Sequence, residues 1–453
     1  MQKSKFMTGT NSSALCIPHS SICILTFAFC ILTSPALAAE KLTLDQALRL
    51  SLDSNRTYRA SVLDARSAAD AVSWGEAGIL PKVDATASYT KSINDTRQER
   101  INTPAPEVKK GAESSSKLAG VNGTWTVFDG FASLAAYKRL SSAAALADER
   151  REQLRQDLAA NVILFYVDVV RQSTVLGALD SAVALSQERV KITQGKYGYG
   201  SVSKLELLQA QLDLNEDLSA RLKQAVVLGN AKRNLNRLLS RDDSTAYAVE
   251  DSIVLAPPPP FDGLRSAALE GSPAVKQAAL TQQVASAGYR EYVGHLLPQV
   301  GVSLGYNYSL TEAQAGLVQS NQAFGPTYGI NVKMNLFDGF SLGDDYRNAK
   351  RAMAKADLLY QDAKAGVDAS LAEAHAAYIV SLDVLALETS NLALARENVG
   401  IAMERLRLGT IASLDLRAAQ EKFVSAETRL VSARFESKRA ETELLRLAGR
   451  LAL

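Results

Sequence analysis

Two carboxylates, Glu206 and Asp415, stand 209 residues apart at equivalent places, each just past a glycine-containing turn. Acids so placed can cap a helix or hold a negative field at a narrow point. Ser203-Lys204-Leu205-Glu206 has the spacing of a capping box, which competes with a field-setting role for Glu206. Asp415 has no such box and is the stronger candidate for a field. Nothing else in the chain assembles a reactive centre. The three cysteines are Cys16, Cys23 and Cys30, so residues 39–453 offer no thiol nucleophile, thiolate ligand or disulfide. His295 precedes Leu296-Leu297-Pro298 and His375 sits in a helical stretch, and neither belongs to a ligand or triad pattern. No catalytic residue, cofactor or metal site is expected.

The first 38 residues have the form of a secretory leader: Lys3 and Lys5, an eleven-residue apolar run from Ile22 to Leu32, then Ala36-Leu37-Ala38. Phe27-Ala28-Phe29 before Cys30 is a poor lipidation box, so no lipid anchor is expected. Removing the two leader lysines leaves the basic count equal to the 48 acidic residues. A net charge near zero argues against nucleic acid as a partner. Beyond the leader no unbroken apolar run approaches eighteen residues, and the richest, Val162 to Val170, contains Asp168. Any membrane crossing is therefore expected from β-strands.

The elements that would position these residues occur twice. Ile79-Leu80-Pro81-Lys82-Val83 returns as Leu296-Leu297-Pro298-Gln299-Val300 at an offset of 217. Phe128-Asp129-Gly130-Phe131 returns as Phe337-Asp338-Gly339-Phe340 at 209, and that offset holds through Gly200/Gly409, Gln211/Gln420 and Leu238/Leu447. Eight residues are missing from the second copy between the proline and the phenylalanine. Each copy reads helix, strand, strand, long helix, helix. The expected organisation is a leader at 1–38, a first repeat at 39–241, a stiff linker at 242–260 carrying Pro257 to Pro260, and a second repeat at 261–453. Pro81 and Pro298 end the helices before the strands. The Asp-Gly pairs at 129–130 and 338–339 supply turns and helix caps at the strand-to-helix junctions, with Phe128 and Phe337 as candidate interfacial anchors.

Strands are expected at about 82–90, 118–128, 299–309 and 327–337. Each alternates an apolar with a polar face: Val83, Ala85, Ala87 and Tyr89 oppose Asp84, Thr86, Ser88 and Thr90. About ten residues is the length that crosses a bilayer when tilted. The apolar faces carry tyrosines and a tryptophan, and the polar ones Ser, Thr, Asn and Gly, as barrel strands do. Four strands leave two raw edges in lipid, so closure requires further copies: two would give eight strands, three would give twelve and some lumen. The polar segments 91–117 and 311–326 read as loops between strands.

Residues 132–196 lack proline and are rich in helix formers, a rod of roughly 95–100 Å. Steps of four and three from Leu158 reach Val162, Phe165 and Val169 and continue to Tyr197; the same steps from Val367 end at Leu406. Such heptads mean coiled-coil seams. Turns at Gly198 to Ser201 and at Leu408 to Thr410 send a second helix back, giving antiparallel hairpins over 132–240 and 341–449.

The duplicated unit, Leu-Thr-Leu-Asp-Gln-Ala-Leu at 42–48, both Phe-Asp-Gly-Phe copies and both Gly-Ser/Thr turns together resemble the TolC-like outer-membrane efflux protein family. The resemblance covers about 40–453. It implies a mainly α chain with a membrane β-sheet, its four strands joining a trimeric twelve-stranded barrel above an α-helical coiled-coil tunnel. It also implies an exit duct of a tripartite efflux pump or type I secretion system in the outer membrane. The partners implied are two further copies, outer-membrane lipid, a periplasmic adaptor and an inner-membrane transporter. Asp415 and Glu206 then fall at the periplasmic gate, although Ala418 stands where the family has a second acid. Gly200, Ser201, Val202, Gly409, Thr410 and Ile411 fall at the adaptor-contacting tips. The first break reads Asn55-Arg56 where the family often has Asn-Pro; Ser272-Pro273 keeps the proline. The competing reading is a periplasmic adaptor or structural coiled-coil protein without a pore, which would need no amphipathic strands of membrane-crossing length.

Overall fold

The computed structural model describes residues 40–99, 105–250 and 253–451; the expected leader lies outside them. In order they are β1 (Glu40–Leu42), α1 (Leu44–Ser54), α2 (Arg56–Asp70), β2 (Lys82–Gln98), β3 (Glu107–Phe128), α3 (Ala132–Gly198), α4 (Lys204–Leu238), β4 (Tyr247–Val249), α5 (Phe261–Gly271), α6 (Pro273–His295), β5 (Gln299–Ala313), β6 (Ser320–Lys333), α7 (Ser341–Leu408) and α8 (Ser413–Leu447). Thr43 opens α1 with a complete capping box: its Oγ1 accepts from the Gln46 amide at 3.3 Å, and Gln46 Oε1 accepts from the Thr43 amide at 2.9 Å. Asn55 closes α1 and opens α2, its Oδ1 accepting from the Tyr58 amide at 3.0 Å.

Two expectations about local structure need correction. The helix before Pro81 stops at Asp70, ten residues early. Ser73 Oγ there accepts from the Glu76 amide at 3.1 Å and Gly78 takes φ 79°, so turn chemistry ends the helix before the proline can. The strands are also longer than their alternation. Lys82–Gln98 and Glu107–Phe128 replace 82–90 and 118–128, and the segments read as loops shrink to 99–106 and 314–319. The ladder outlasts the apolar pattern because its hydrogen bonds need only a partner strand, whereas alternation needs lipid on one face. The fourth strand ends at Lys333, not 337. Lys333 pairs with Gln299, and beyond it the partner strand gives way to Pro298, which has no amide hydrogen to donate.

The four long strands form one antiparallel sheet in the order β2-β3-β5-β6. Its register separates the faces cleanly. Val83, Gly123, Leu304 and Tyr328 make one row of the apolar face; Asp84, Asn122, Gly305 and Thr327 make the adjacent row of the polar face. On β5 the apolar face runs from Val300 to Leu310, about 34 Å along the strand. At barrel tilt this matches a lipid band of about 25 Å. Just above, Lys91 pairs with Glu113 at 3.0 Å on the same face. The two hairpins end at different heights: Ser92, Ser114 and Ala313 are level, and there β5 stops, while β2 runs on to Gln98.

The helices pack as two hairpins, α3 with α4 and α7 with α8, joined where α3 meets α8. From Leu158 to Thr193 every heptad site on α3 is buried or half-buried, as is every site from Val367 to Leu406 on α7; only Tyr197 is exposed. The main core lies around the middle of α3, where Leu158 to Val170 pack with Leu42, Leu48, Leu235, Leu239 and Tyr247. The proline strap crosses α7 and α8: Tyr378 donates to the Ala256 carbonyl, and Glu441 accepts from the Ala256 amide at 3.2 Å. Contrary to the reading from unbroken apolar runs, α3 and α7 each hold a window apolar enough to span a bilayer. Alanine-rich heptads raise mean hydropathy without making a continuous apolar surface.

Candidate functional site

The two hairpin tips lie side by side. Gly200 at φ 70° and Gly409 at φ 74° turn the chain in the left-handed region that glycine enters without strain. The Ser201 amide donates to the Lys196 carbonyl at 2.8 Å and the Thr410 amide to Arg405 at 3.0 Å, closing the ends of α3 and α7. Gly200, Ser201, Gly409 and Thr410 are exposed; Val202 and Ile411 are half-buried, Ile411 against Leu406 and Leu416. Lys196 Nζ joins the tips by donating to the Leu406 carbonyl at 2.5 Å.

The acids sit on the first turns of α4 and α8. Ser203 Oγ accepts from the Glu206 amide at 3.3 Å, as a cap should. The return half of that box is absent: Glu206 Oε1 instead faces the Ser413 amide at the start of α8, at 3.5 Å. Asp415 makes the return bond that sequence alone did not indicate, accepting from the Ala412 amide at 3.2 Å. Ala412 has no side-chain oxygen with which to reciprocate. Asp415 is exposed and Glu206 half-buried.

A polar cluster above the tips escaped the sequence reading. Arg189 on α3 is 1% exposed and pairs with Asp213 on α4. Ser186 donates to Asp217 at 2.5 Å and accepts from Gln420 Nε2 at 3.3 Å. Arg417 on α8 reaches both oxygens of Asp217 at 2.9 Å and Glu421 at 2.9 Å. Burial works against the Arg417 charge, but the bonds to Asp217 outweigh it and hold its pKa above the ordinary value. This cluster ties one hairpin to the other. The one hint in sequence was polar Ser186 at a heptad site.

At the junctions Asp129 Oδ2 accepts from the Ser133 amide at 2.7 Å, and Asp338 from the Leu342 amide at 3.0 Å, so both aspartates cap the long helices. Phe131 and Phe340 take φ 67° and 72°, uncommon for a bulky residue. Each lies edge-on to the phenylalanine three before it, Phe128 at 5.5 Å and Phe337 at 5.4 Å, with all four rings exposed. Gly130 abuts the end of α6, where an added Cβ would come within 2.3 Å of the Gly294 carbonyl; Gly339 faces nothing within 4 Å. Pro81 and Pro298 stand immediately before β2 and β5. His375 Nε2 lies 3.2 Å from the Pro259 carbonyl and packs on Phe261. Among the described residues no group of three or more His, Cys, Asp or Glu gathers to hold a metal.

A duplicated unit that joins lipid-length strands to coiled-coil hairpins matches one family along both copies: the outer membrane efflux protein model covers residues 47–240 and 264–450. The chain belongs to the outer membrane efflux protein family. Membership makes it an outer-membrane efflux channel with a periplasmic helical portion. Outer membrane efflux protein BepC of Brucella suis biovar 1 (strain 1330) is 20% identical over 426 residues, 93% of this chain and 88% of the relative. Among solved structures, the outer-membrane channel OprN superposes with a TM-score of 0.76 at 20% identity, covering 90% of this chain and 89% of that one. The Campylobacter jejuni CmeC outer membrane channel gives 0.76 at 16% identity, covering 90% and 85%. At these identities the structures establish the TolC-like fold of efflux-family members.

Proposed function

We propose that three copies of this chain close a twelve-stranded barrel and form a passive exit duct. A periplasmic adaptor and an inner-membrane transporter, of a tripartite pump or a type I secretion system, would feed it. The observation that carries this is the sheet. Its apolar face is exposed on both outer strands, Tyr328 to 84%, and among the described residues β2 and β6 each have a free edge. Lipid satisfies the first condition, and only further strands satisfy the second. Twelve strands leave a lumen where eight would be filled by side chains. The mass of the detergent-solubilised protein, taken with single-channel conductance on the same sample, tests it. A trimer with a pore is expected; a monomer that needs no detergent would favour a pore-less adaptor-like protein.

Asp415 and Glu206 set the field at the periplasmic entrance of this duct. Three copies of exposed Asp415 make a like-charge ring that favours cations. Asp415→Ala is expected to lower cation preference in planar bilayers, and unchanged selectivity would remove Asp415 from the gate. Gly200 to Val202 and Gly409 to Ile411 form the adaptor-facing surface. Cysteines at Ser201 and Thr410 should crosslink to the adaptor, and no adduct would count against contact there.

A further inference from the structure

We infer that closure of the barrel is keyed by an ion pair between copies, Asp84 on β2 of one chain facing Lys333 on β6 of the next. The inference rests on the trimeric reading above and adds the register of its seams. Along the polar face of the sheet, from the periplasmic end up to Ala112 on β3 and Ala313 on β5, the two inner strands carry no charged residue. Over that stretch the charges on the face belong to the outer strands: Lys82 and Asp84 on β2, Lys333 on β6; the next charges, Lys109 and Glu107 on β3, pair with Thr96 and Gln98 beyond the bulge at the far end. Lys82, Asp84 and Lys333 all lie at the periplasmic end, and none has an ion-pair partner among the described residues. Charge confined to two free edges is charge placed where another copy must arrive.

The seam has few registers to choose from. β2 and β6 must pair antiparallel, and a slip of one residue would turn every apolar side chain into the lumen. Two registers keep the faces, use the full length of β6 and tilt the barrel near the usual range; the next ones on either side, Asn331 facing Lys82 or Lys333 facing Thr86, would tilt it to about 20° or about 55°. In one of the two, Lys333 faces Asp84; in the other, two residues lower, Lys333 faces Lys82. By strand rise and spacing these tilt a twelve-stranded barrel by about 47° and about 35°, bracketing the usual range. Geometry alone does not choose, so side chains must. Like charges directly opposite destabilise a strand pair and unlike charges stabilise it. The apolar face agrees: the Asp84 register sets Val332 and Ile330 beside small Ala85 and Ala87, Tyr328 beside Tyr89, and Phe324 beside Ile93. The alternative sets Phe324 beside Lys91.

Disulfide trapping tests the register without altering a charge, because residues 39–453 contain no cysteine. Ala85→Cys combined with Val332→Cys is expected to oxidise to a covalent trimer that survives SDS. Ala85→Cys combined with Ile330→Cys, directly opposite only in the slipped register, is expected to react at least tenfold more slowly. The reverse order overturns the proposal. A particle of trimeric mass that neither pair crosslinks also overturns it, leaving the trimer intact. A monomeric mass overturns the trimer itself, and the seam with it. As a second readout, Asp84→Lys should lower the temperature at which the unreduced trimer dissociates, and adding Lys333→Asp should restore it. Failure of the swap to restore would show that this pair does not key the seam.

Discussion

The helices α3 and α7 are two copies of one element, 67 and 68 residues long with the same heptad seam, yet their surroundings differ sharply. Twenty residues of α3 are buried against eight of α7. α3 is packed by α1, α2, α4, α6 and α8, while α7 packs mainly on α5, α6 and α8 and meets α3 near the tip. What α7 leaves uncovered is apolar: Leu358, Val380, Val384, Leu387 and Leu394 all stand exposed. On the far side of the hairpin pair, α4 exposes Leu205, Leu212, Leu222 and Val226 in the same way. Two repeats of one design reach such unequal burial when the second is meant to be finished from outside. The seam of each hairpin is internal; in the proposed trimer the outer flanks of α4 and α7 would meet neighbouring copies.

The strongest way to break this comparison is to place a charge on the unfinished flank. Leu387→Asp is expected to abolish the trimer while leaving far-UV helicity unchanged, since burying an unpaired carboxylate at an interface costs several kcal/mol. A trimer that persists by mass would mean that α7 faces solvent there. Next in size is the tie between the repeats. Arg417→Ala leaves Asp217 with the Ser186 hydroxyl but no cation and is expected to cost about 3 kcal/mol, seen as a lower melting temperature together with a higher conductance at the entrance. A sharper and smaller contrast lies at the junction glycines. Gly339→Ala adds left-handed strain of about 1–2 kcal/mol, and Gly130→Ala adds overpacking against α6 of about 1–3 kcal/mol beyond that. Gly130→Ala should therefore be the more damaging in dissociated chains.

The smallest effect concerns α8, which lies between the two long helices. Glu427 has an Oε2 with no hydrogen-bond partner among the described residues, and burial pushes its carboxyl above its ordinary pKa. A pKa raised in the folded state means that the folded chain holds a proton that the unfolded chain releases. Stability is then greatest at low pH and falls as pH rises through the folded pKa. Glu427→Gln is expected to raise the melting temperature at about pH 7 and to leave it unchanged near about pH 4.

Much of this arrangement was legible in the chain because periodicity is a local code. The four-three steps from Leu158 and the alternation from Val83 follow from the geometry of a helix and of a strand. What escaped was non-local. Gln98 and Glu107 lie in strands because they pair across the hairpin, and nothing in their own neighbourhood says so. Arg417 meets Asp217 across 200 residues, and a buried arginine has no period of its own. Local boxes give the tip acids interchanged bonds: Glu206 reaches a different helix, and Asp415 turns back on its own.

The eight residues that the second copy lacks turn a matter of chain length into one of skyline. Above the level where β5 ends, β2 climbs another six residues, about 20 Å. In the threefold assembly proposed here, the outer mouth is then crenellated, three tall merlons from the first repeat alternating with three low gaps from the second. A large ligand gripping the channel from outside would meet the first repeat alone, while small solutes would leave through the notches between.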